Sequence, residues 1–345
     1  MSHPSALVGM IANPASGKDI RRLVAYATTV DTQGKVSIVR RILIGLGALS
    51  VPKVLIMPDT HRLGERAQEG LAHADQALPE IEILDMPVSG GAEDSAQAAL
   101  LLREGGAGCI IVLGGDGTVR VVSKEAGEVP LVAVSTGTNN VLPSCTEGTV
   151  AGLAAGAVAQ RQVSPEAVGV RHKWYEVFVN GDSRDRALVD VAALSGRFVG
   201  SRAVWDVGDL KQVAVTRADP ATIGISAIVG VVRPVAVEEP LGVTVSLSES
   251  GGRRVLVAVG PGLIREVGIE AMRTVQPGEA VGISSIRPLV LALDGEREIV
   301  LREGDVAHLR LRTDGPWIID PRRVMEKMAM AQLFDRRLGE LALNL

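Results

Sequence analysis

Up to about residue 145, short apolar runs alternate with longer stretches whose apolar positions recur every three or four residues. A run of the first kind predicts a strand, and a stretch of the second kind predicts a helix. Continuous apolar strands separated by helices indicate an α/β domain whose parallel sheet is covered on both faces. The predicted strands are residues 6–12, 52–57, 81–86, 109–113 and 131–135. The predicted helices are a segment after Asp19 and residues 36–49, 62–73, 92–104 and 119–126.

Beyond about residue 160, the predicted strands follow one another with few helices between them. Polar and apolar residues alternate over residues 243–247, and Asn180-Gly181 is a hairpin turn signal. This pattern predicts a mainly antiparallel, β-rich second part. Asp320 and Pro321 are typical of a helix start, and we expect a last helix from there to about Leu341. The predicted strands are residues 174–179, 187–194, 243–247, 255–259, 289–293, 298–301 and 307–311.

Composition narrows the possible classes of function. The formal net charge is −4, and acidic and basic residues are mixed along the chain, so the sequence does not indicate bulk electrostatic binding to nucleic acid or a membrane surface. No apolar run reaches the ~18 residues that span a bilayer. Cys109 and Cys145 are too few for a disulfide framework, and the histidines show no metal spacing. We therefore expect a cytoplasmic protein without nucleic-acid or membrane partners.

The most informative motif is Gly-Gly-Asp-Gly-Thr at residues 114–118, between a predicted strand and a predicted helix. Glycines let the backbone pass close to a bulky anion, and the N–H groups at a helix start are available to phosphate. The carboxylate of Asp116 repels phosphate, so it is better suited to holding Mg²⁺ or to taking a proton from an attacking hydroxyl. An ordinary turn also uses glycine and aspartate, but it rarely needs three glycines. The motif predicts nucleotide-dependent phosphoryl transfer.

Two more polar turns follow predicted strands. Residues 13–18, Asn-Pro-Ala-Ser-Gly-Lys, lack the spacing of a P-loop, because Asp19 stands where that motif has Ser or Thr. Residues 135–140, Ser-Thr-Gly-Thr-Asn-Asn, carry hydroxyls and amides that suit ribose or phosphate oxygens. Both are also natural turn or helix-capping sequences. Because ligands collect beyond the carboxyl ends of parallel strands, the three turns are predicted to converge on one crevice.

Asp294-Gly295-Glu296 lies between two predicted strands of the second part. Asp-Gly is a strong hairpin signal, so the local sequence favours a simple turn. The functional interpretation makes Glu296 a second carboxylate that faces Asp116 between the two domains. The sequence alone leaves both interpretations open.

Four of these motifs occur in an order and at separations that resemble the superfamily of NAD kinases, diacylglycerol kinases and sphingosine kinases. Within it, the chain is most similar to the ATP-NAD kinase-like proteins of bacterial acetoin catabolism, the acetoin catabolism protein X type, over almost its full length. Gly-Gly-Asp-Gly-Thr is specific to the superfamily, whereas the first and last motifs are specific only in its company. The four motifs are residues 13–17, 114–118, 137–140 and 294–296.

The resemblance implies a fold of two domains. The first, expected over residues 1–146, is an α/β domain with a parallel sheet similar to those of Rossmann and phosphofructokinase folds. The second, expected over residues 147–317, is mainly antiparallel and β-rich. Residues 318–345, with the last helix, are expected to return to the first domain. We also expect a homo-oligomer, either a dimer or a tetramer.

The resemblance also implies which residues bind ligand. The site is expected to bind ATP with Mg²⁺, and NAD as the acceptor. Asp116 is implied as the general base or the metal-organising carboxylate, and Glu296 matches the second acid of the lipid kinases. The residues expected around the nucleotide are Asn13, Ser16, Gly17, Gly114, Gly115, Gly117, Thr118, Thr136, Gly137, Thr138, Asn139 and Asp190.

The sequence departs from the NAD kinase pattern at one position. NAD kinases carry an Asn-Glu pair that holds the dinucleotide, and the nearest match here is Val189-Asp190. Asp190 can replace the glutamate, but Val189 has no side-chain hydrogen-bonding group. Three functions therefore stay open: an NAD kinase that forms NADP at the 2′-hydroxyl, a lipid or small-alcohol kinase, and a non-catalytic nucleotide-binding accessory or sensor protein. A Rossmann dehydrogenase is disfavoured, because GxGxxG does not follow the first strand.

Overall fold

The computed structural model describes residues 6–17, 30–72, 76–137, 140–195, 207–248, 251–283 and 288–335. The helix predicted after Asp19 lies outside these ranges. The helices within them are α1 Thr32–Ala48, α2 Leu63–Glu69, α3 Ala92–Glu104, α4 Asp116–Glu125, α5 Gly148–Ala159, α6 Pro165–Val168, α7 Ile225–Gly230 and α8 Pro321–Met330. The strands are β1 Leu7–Ala12, β2 Lys53–Ile56, β3 Glu80–Ile83, β4 Cys109–Gly114, β5 Leu131–Ser135, β6 Gly169–Arg171, β7 Trp174–Val179, β8 Asp182–Ala187, β9 Asp190–Ser195, β10 Leu210–Val215, β11 Gly242–Leu247, β12 Arg253–Gly260, β13 Leu263–Val275, β14 Ala280–Gly282, β15 Leu289–Leu293, β16 Glu296–Leu301, β17 Ala307–Arg312 and β18 Trp317–Ile319.

The first domain is built on a mostly parallel sheet with the strand order β3-β2-β1-β4-β5-β18-β6. Strand β4 lies between β1 and β5, and all three run in the same direction. Only β6, at the edge, runs antiparallel to its neighbour β18. Every residue of β1 and β4 is buried, which explains why both read as continuous apolar runs. The predicted α/β fold with a parallel sheet is confirmed.

Helices cover both faces of this sheet. Helices α1, α5 and α8 share one apolar cluster with the sheet, and α3 and α4 share another on the opposite face. Helices α1 and α5 approach very closely, because a Cβ on Gly45 would lie 2.3 Å from the carbonyl oxygen of Thr149. A Cβ on Gly152 would likewise lie 2.2 Å from the carbonyl oxygen of Ile42. Only glycine fits at either position.

The second domain consists of two antiparallel sheets. The larger has the strand order β12-β13-β11-β10-β9-β15-β16, and the smaller has the order β14-β17-β7-β8. One apolar cluster, which includes Tyr175 and Leu291, lies between the two sheets. Helix α7 covers the other face of the larger sheet through Ile228 and its neighbours. This arrangement confirms the predicted antiparallel, β-rich second part.

After the second domain, the chain returns to the first domain in β18 and α8. Strand β18 inserts between β5 and β6, and Val324 and Met328 of α8 are fully buried in the cluster of α1 and α5. The expected return of the last helix is therefore confirmed. The helix is shorter than predicted: it ends at Met330, and residues beyond 335 lie outside the described ranges. Helix α5 and strand β6 also belong to this layer, so we propose that the first domain extends as far as β6.

One predicted strand is wrong in detail. Residues 187–194 were predicted as a single strand, but the chain leaves β8 at Ala187 and enters β9 at Asp190. The backbone N–H groups of the two intervening residues, Leu188 and Val189, donate to the carboxylate of Asp294 instead of to a neighbouring strand. A side chain more than a hundred positions away thus interrupts the strand. None of the helices in the described residues is both long and apolar enough to cross a membrane.

Candidate functional site

The three polar turns that follow β1, β4 and β5 come together at one edge of the parallel sheet. The side-chain amide of Asn13 donates to the hydroxyl of Thr118 over 2.9 Å. The hydroxyl of Thr136 donates to that of Ser16, also over 2.9 Å. Thr118 and Thr136 are both buried. These hydrogen bonds hold the turns next to one another. Their proximity was expected, because all three turns follow strands of one parallel sheet.

Several of the predicted glycines are required by close packing between these turns. Gly17 has a φ of +76°, and a Cβ there would lie 2.8 Å from the carbonyl oxygen of Thr136. A Cβ on Gly114 would lie 2.7 Å from Oγ1 of Thr118. One on Gly115 would lie 2.9 Å from Oδ1 of Asn140. A larger residue at position 17 has to displace the backbone of the third turn, and one at position 114 or 115 has to displace the side chain of Thr118 or Asn140.

The side chain of Lys35 binds the backbone of the first turn. This α1 residue is buried, and its ammonium donates to the backbone carbonyls of Asn13, Pro14 and Ser16 at 3.2, 2.8 and 2.7 Å. Because one ammonium donates three hydrogen bonds to these carbonyls, it fixes the backbone conformation of residues 13–16. Sequence reasoning missed this residue. Its position four before the buried Val39 placed it on the apolar face of the helix, and that was the available signal.

Asp116 is the first residue of α4, and backbone amides hold its carboxylate. Oδ1 accepts from the N–H groups of Val141 and Leu142 at 3.0 and 2.8 Å, and Oδ2 accepts from Val141 at 2.9 Å. The carboxylate is therefore fixed against the loop that follows β5. The first N–H groups of a helix have no partner within the helix, and in α4 these groups lie beside Asp116.

The third turn is organised around Ser135. Its hydroxyl donates to the carbonyl of Gly137 over 2.8 Å and accepts from the side-chain amide of Asn140 over 2.8 Å. Gly137 therefore lies beside Asn140, which in turn packs against Gly115. Thr138 and Asn139, which were also predicted to bind the nucleotide, lie outside the described residues.

Residues 294–296 form a hairpin turn, and they also place a carboxylate beside the start of α4. Asp294 and Gly295 have φ values of 50° and 81° and close the hairpin between β15 and β16. The next residue, Glu296, has its carboxylate against the start of α4. A Cβ on Gly117 would lie only 3.1 Å from its Oε1. The hairpin thus delivers a second acid to the residue that follows Asp116.

The same hairpin fixes the Val189-Asp190 pair. The carboxylate of Asp294 accepts from the backbone N–H of Val189 at 2.7 Å and of Asp190 at 3.2 Å. Val189 is buried in the apolar cluster of α3 and α4, so its side chain faces the packed interior. Asp190 is buried at the same end of the larger sheet. The dinucleotide-binding asparagine of NAD kinases therefore has no polar counterpart at position 189.

Arg120 joins α4 to the second domain. This buried arginine donates to Asp185 at 3.0 Å and to Glu298 at 2.8 Å, and its Nε lies 3.6 Å from Asp294. Burial on its own lowers the pKa of a guanidinium, but these carboxylates outweigh it and the pKa of Arg120 is raised. Lys124, one turn further along α4, forms a second ion pair with Asp185. Sequence reasoning missed these residues, because nothing local distinguishes them from surface charges.

A second cluster of basic residues lies on the second-domain side of Asp116. Burial lowers the pKa of His172 to about 3, helped by the positive charges of Arg217 and Lys173. Burial also lowers the pKa of Lys173 to about 8, and its ammonium donates to the carbonyls of Ala236, Glu239 and Leu241. Burial lowers the pKa of Arg217 as well, while the negative charge of Asp116 opposes this effect. Asp116 and Arg217 are thus electrostatically coupled.

Two family models together match most of the chain. The ATP-NAD kinase N-terminal domain matches residues 9–162, and the acetoin catabolism protein X C-terminal domain matches residues 173–314. Acetoin catabolism protein X of Cupriavidus necator is 38% identical over 308 residues, which cover 87% of this chain and 86% of that protein.

The chain belongs to the acetoin catabolism protein X family. Among solved structures, a putative diacylglycerol kinase from Bacillus anthracis is similar in fold, with a TM-score of 0.50 and 12% identity, covering 92% of this chain and 98% of that chain. An NAD kinase from Archaeoglobus fulgidus in complex with ATP gives a TM-score of 0.38 and 16% identity, covering 80% and 96%. The fold is kinase-like, as the resemblance implied.

The described residues of the site offer few side-chain ligands for Mg²⁺. Among the described residues, no group of three or more His, Cys, Asp or Glu side chains is arranged to hold a metal ion. Mg²⁺ is commonly held by one or two carboxylates, with nucleotide phosphates and water completing its shell. Asp116 and Glu296, on either side of Gly117, fit that arrangement. The donor set suits an ion that arrives with a nucleotide.

Proposed function

We propose that this protein is an ATP-dependent phosphotransferase that acts on a hydroxyl group. The observation that supports this most directly is the position of Asp116. It lies at the start of α4 in a turn of three glycines, and the turns of Asn13 and Thr136 and the carboxylate of Glu296 converge on it. The start of a helix, which favours phosphate, beside a fixed carboxylate is a combination that suits phosphoryl transfer.

In this mechanism, Asp116 takes the proton of the acceptor hydroxyl. The acceptor oxygen forms a bond to the γ-phosphorus, the bond from that phosphorus to the bridging oxygen breaks, and ADP leaves with the electron pair. The N–H groups at the start of α4 offset the negative charge on the phosphates. Mg²⁺, held by Asp116 and Glu296 together with the nucleotide, would supply further charge neutralisation. The side chains of Asn13, Ser16, Thr118 and Thr136 keep the turns in place around the nucleotide.

The first acceptor to test is the 2′-hydroxyl of NAD, which would make the protein a source of NADP. The match of residues 9–162 to the ATP-NAD kinase N-terminal domain supports this choice. The name of the Cupriavidus necator relative supports a link to acetoin catabolism.

A second acceptor class is a lipid or small alcohol. Two observations favour it. Glu296 lies against Gly117, which gives the site a pair of acids, and Val189 is buried where a dinucleotide kinase has a polar side chain. Asp190 remains as the polar group through which either acceptor would be recognised.

Release of ADP, measured in parallel with NAD, diacylglycerol and small polyols, tests the proposal. We expect ADP release above the acceptor-free rate with one acceptor class, and phosphorylated acceptor in equal amount. Calorimetry with ATP and with NAD runs beside this assay. Tight binding without ADP release for any acceptor would overturn the kinase proposal and would select the accessory or sensor function instead.

A further inference from the structure

Arg217 emerges from the larger sheet of the second domain at the end that faces Asp116. Val215, the last residue of β10, pairs with Asp190, the first residue of β9. The next residue, Thr216, donates through its backbone N–H to the carbonyl of Val189 over 2.9 Å. Asp294 in turn donates to the carbonyl of Asp190 over 2.9 Å. Arg217 therefore leaves the sheet beside the hairpin that carries Glu296.

This end of the sheet packs directly on α4. Leu188 and Val189 share one apolar cluster with Val119 and Val122 of the helix. Asp294 lies 3.6 Å from Nε of Arg120, and Glu296 lies against Gly117. These contacts bring the residues after β10 to the start of α4, where the nucleotide phosphates are proposed to bind. The charge of Arg217 accordingly acts on Asp116.

Arg217 differs from its basic neighbours in its hydrogen-bond and ion-pair partners. His172 is buried and neutral, and the ammonium of Lys173 already donates to three carbonyls. Arg120 is held by three carboxylates. Within the described part of the chain, by contrast, no hydrogen bond and no ion pair within 4.0 Å involves the guanidinium of Arg217. A half-buried guanidinium with five N–H donors and no partner among the described residues is available to a ligand.

We infer that Arg217 binds the terminal phosphoryl group of a nucleoside triphosphate while Asp116 receives the acceptor proton. A guanidinium presents two parallel N–H donors that match two oxygens of a phosphoryl group, and its charge persists throughout the reaction. Negative charge spreads over the oxygens of the transferred group in the transition state, and a fixed cation beside it lowers the barrier. This inference rests on the proposed phosphotransferase function and names the residue that recognises the transferred group.

Substitution of Arg217 by Gln and by Lys tests the inference, with Arg265→Gln as the control. Arg265 is exposed on β13, which pairs with β11 and β12 of the second domain. We expect Arg217→Gln to lower kcat about 10²-fold or more, as removal of one transition-state hydrogen-bond donor does. Its affinity for MgATP, measured by calorimetry, should fall more than its affinity for MgADP, because ADP lacks the terminal phosphoryl group. Arg217→Lys should recover part of the loss, and Arg265→Gln should match the wild type.

The possible outcomes separate this inference from the proposed function. Wild-type turnover and wild-type MgATP affinity in Arg217→Gln would overturn the inference and leave the kinase intact. Equal loss of MgATP and MgADP affinity would also overturn it, because the residue would then contact another phosphate. A wild type that binds both nucleotides without turnover would remove the kinase proposal, while the ATP-to-ADP comparison would still decide the role of Arg217. A wild type that binds neither nucleotide would overturn both. Thermal unfolding of each variant shows whether the fold is retained.

Discussion

Ionisable side chains at the junction of the two domains have lost most of their contact with water, and each is stabilised differently. Arg120 is surrounded by carboxylates, Lys173 by carbonyl oxygens, and His172 by neither. Arg217 is half-buried, and the negative charge of Asp116 acts on its guanidinium. A buried charge without a partner is costly, so the protonation state of each group affects stability as well as ligand binding.

His172 gives a pH dependence of stability that can be measured. Its pKa is about 3 in the folded protein and near 6.5 when unfolded, so the unfolded chain binds the extra proton between these values. Stability is therefore expected to fall as the pH drops from about 6.5 towards 3, by up to about 1.4 kcal/mol per pH unit. His172→Gln removes this contribution. Urea unfolding at several pH values should show a difference between variant and wild type that changes below pH ~6.5, and a constant difference would contradict the assignment.

At the scale of single elements, α4 connects the chemistry to the fold. Its first turn carries Asp116, and the next turn carries Arg120, which reaches two strands and a hairpin of the second domain. The hairpin of residues 294–296 makes the corresponding contacts from the second domain. Asp294 forms an ion pair with Arg120 and accepts a hydrogen bond from the backbone of Val189, while Glu296 lies against Gly117. Each domain therefore positions part of the site through a contact with the other.

Arg120→Met tests this connection. The substitution leaves the fully buried carboxylate of Asp294 without its cation, so we expect the free energy of unfolding to fall by about 3–5 kcal/mol. Arg322→Met is the matched control. Its side chain is 86% exposed and pairs with Glu326, so the loss should be no more than about 1 kcal/mol. Denaturant unfolding of both variants measures the difference. Equal, small effects would show that Arg120 contributes little to the junction.

The elements also show how far the sequence could be interpreted. Strand-forming runs and the order of three glycine-bearing turns predicted the sheet and the convergence of Asn13, Asp116 and Thr136. Arg120 and Arg217 were not predicted, because a long cationic side chain carries no local sign of where its charge will lie. Lys35 was missed although its position four before Val39 placed it on the apolar face of α1. The break between β8 and β9 was missed for a related reason: it depends on Asp294, which is distant in sequence.

On the scale of the whole molecule, the first and last described strands belong to the same sheet. Strand β18 completes the sheet that β1 and β4 started, and α8 packs against α5 beneath it. Strands β7 to β17 form the two antiparallel sheets, and β6 and β18, which precede and follow them, both belong to the sheet that carries the three turns. This arrangement limits how far the two halves of the site can separate.

Met328 and Met330 test the return of the chain. Both lie in α8, but Met328 is fully buried in the core of the first domain and Met330 is 80% exposed. Met328→Ala should lower the free energy of unfolding by about 2–5 kcal/mol, because it leaves a cavity. Met330→Ala should change it by about 0.5 kcal/mol or less. Similar values for the two variants in urea unfolding would contradict the packing of α8 on this core.

The measurement that tests the central claim most directly is ADP formation by Asp116→Asn beside the wild type, with saturating MgATP and the best acceptor. Loss of the proton-accepting carboxylate should lower the rate about 10²-fold or more, and thermal unfolding shows whether the fold is retained. Asp182→Asn, which changes an exposed carboxylate on β8, should keep the wild-type rate. An Asp116→Asn protein that forms ADP and phosphorylated acceptor at the wild-type rate would contradict the account.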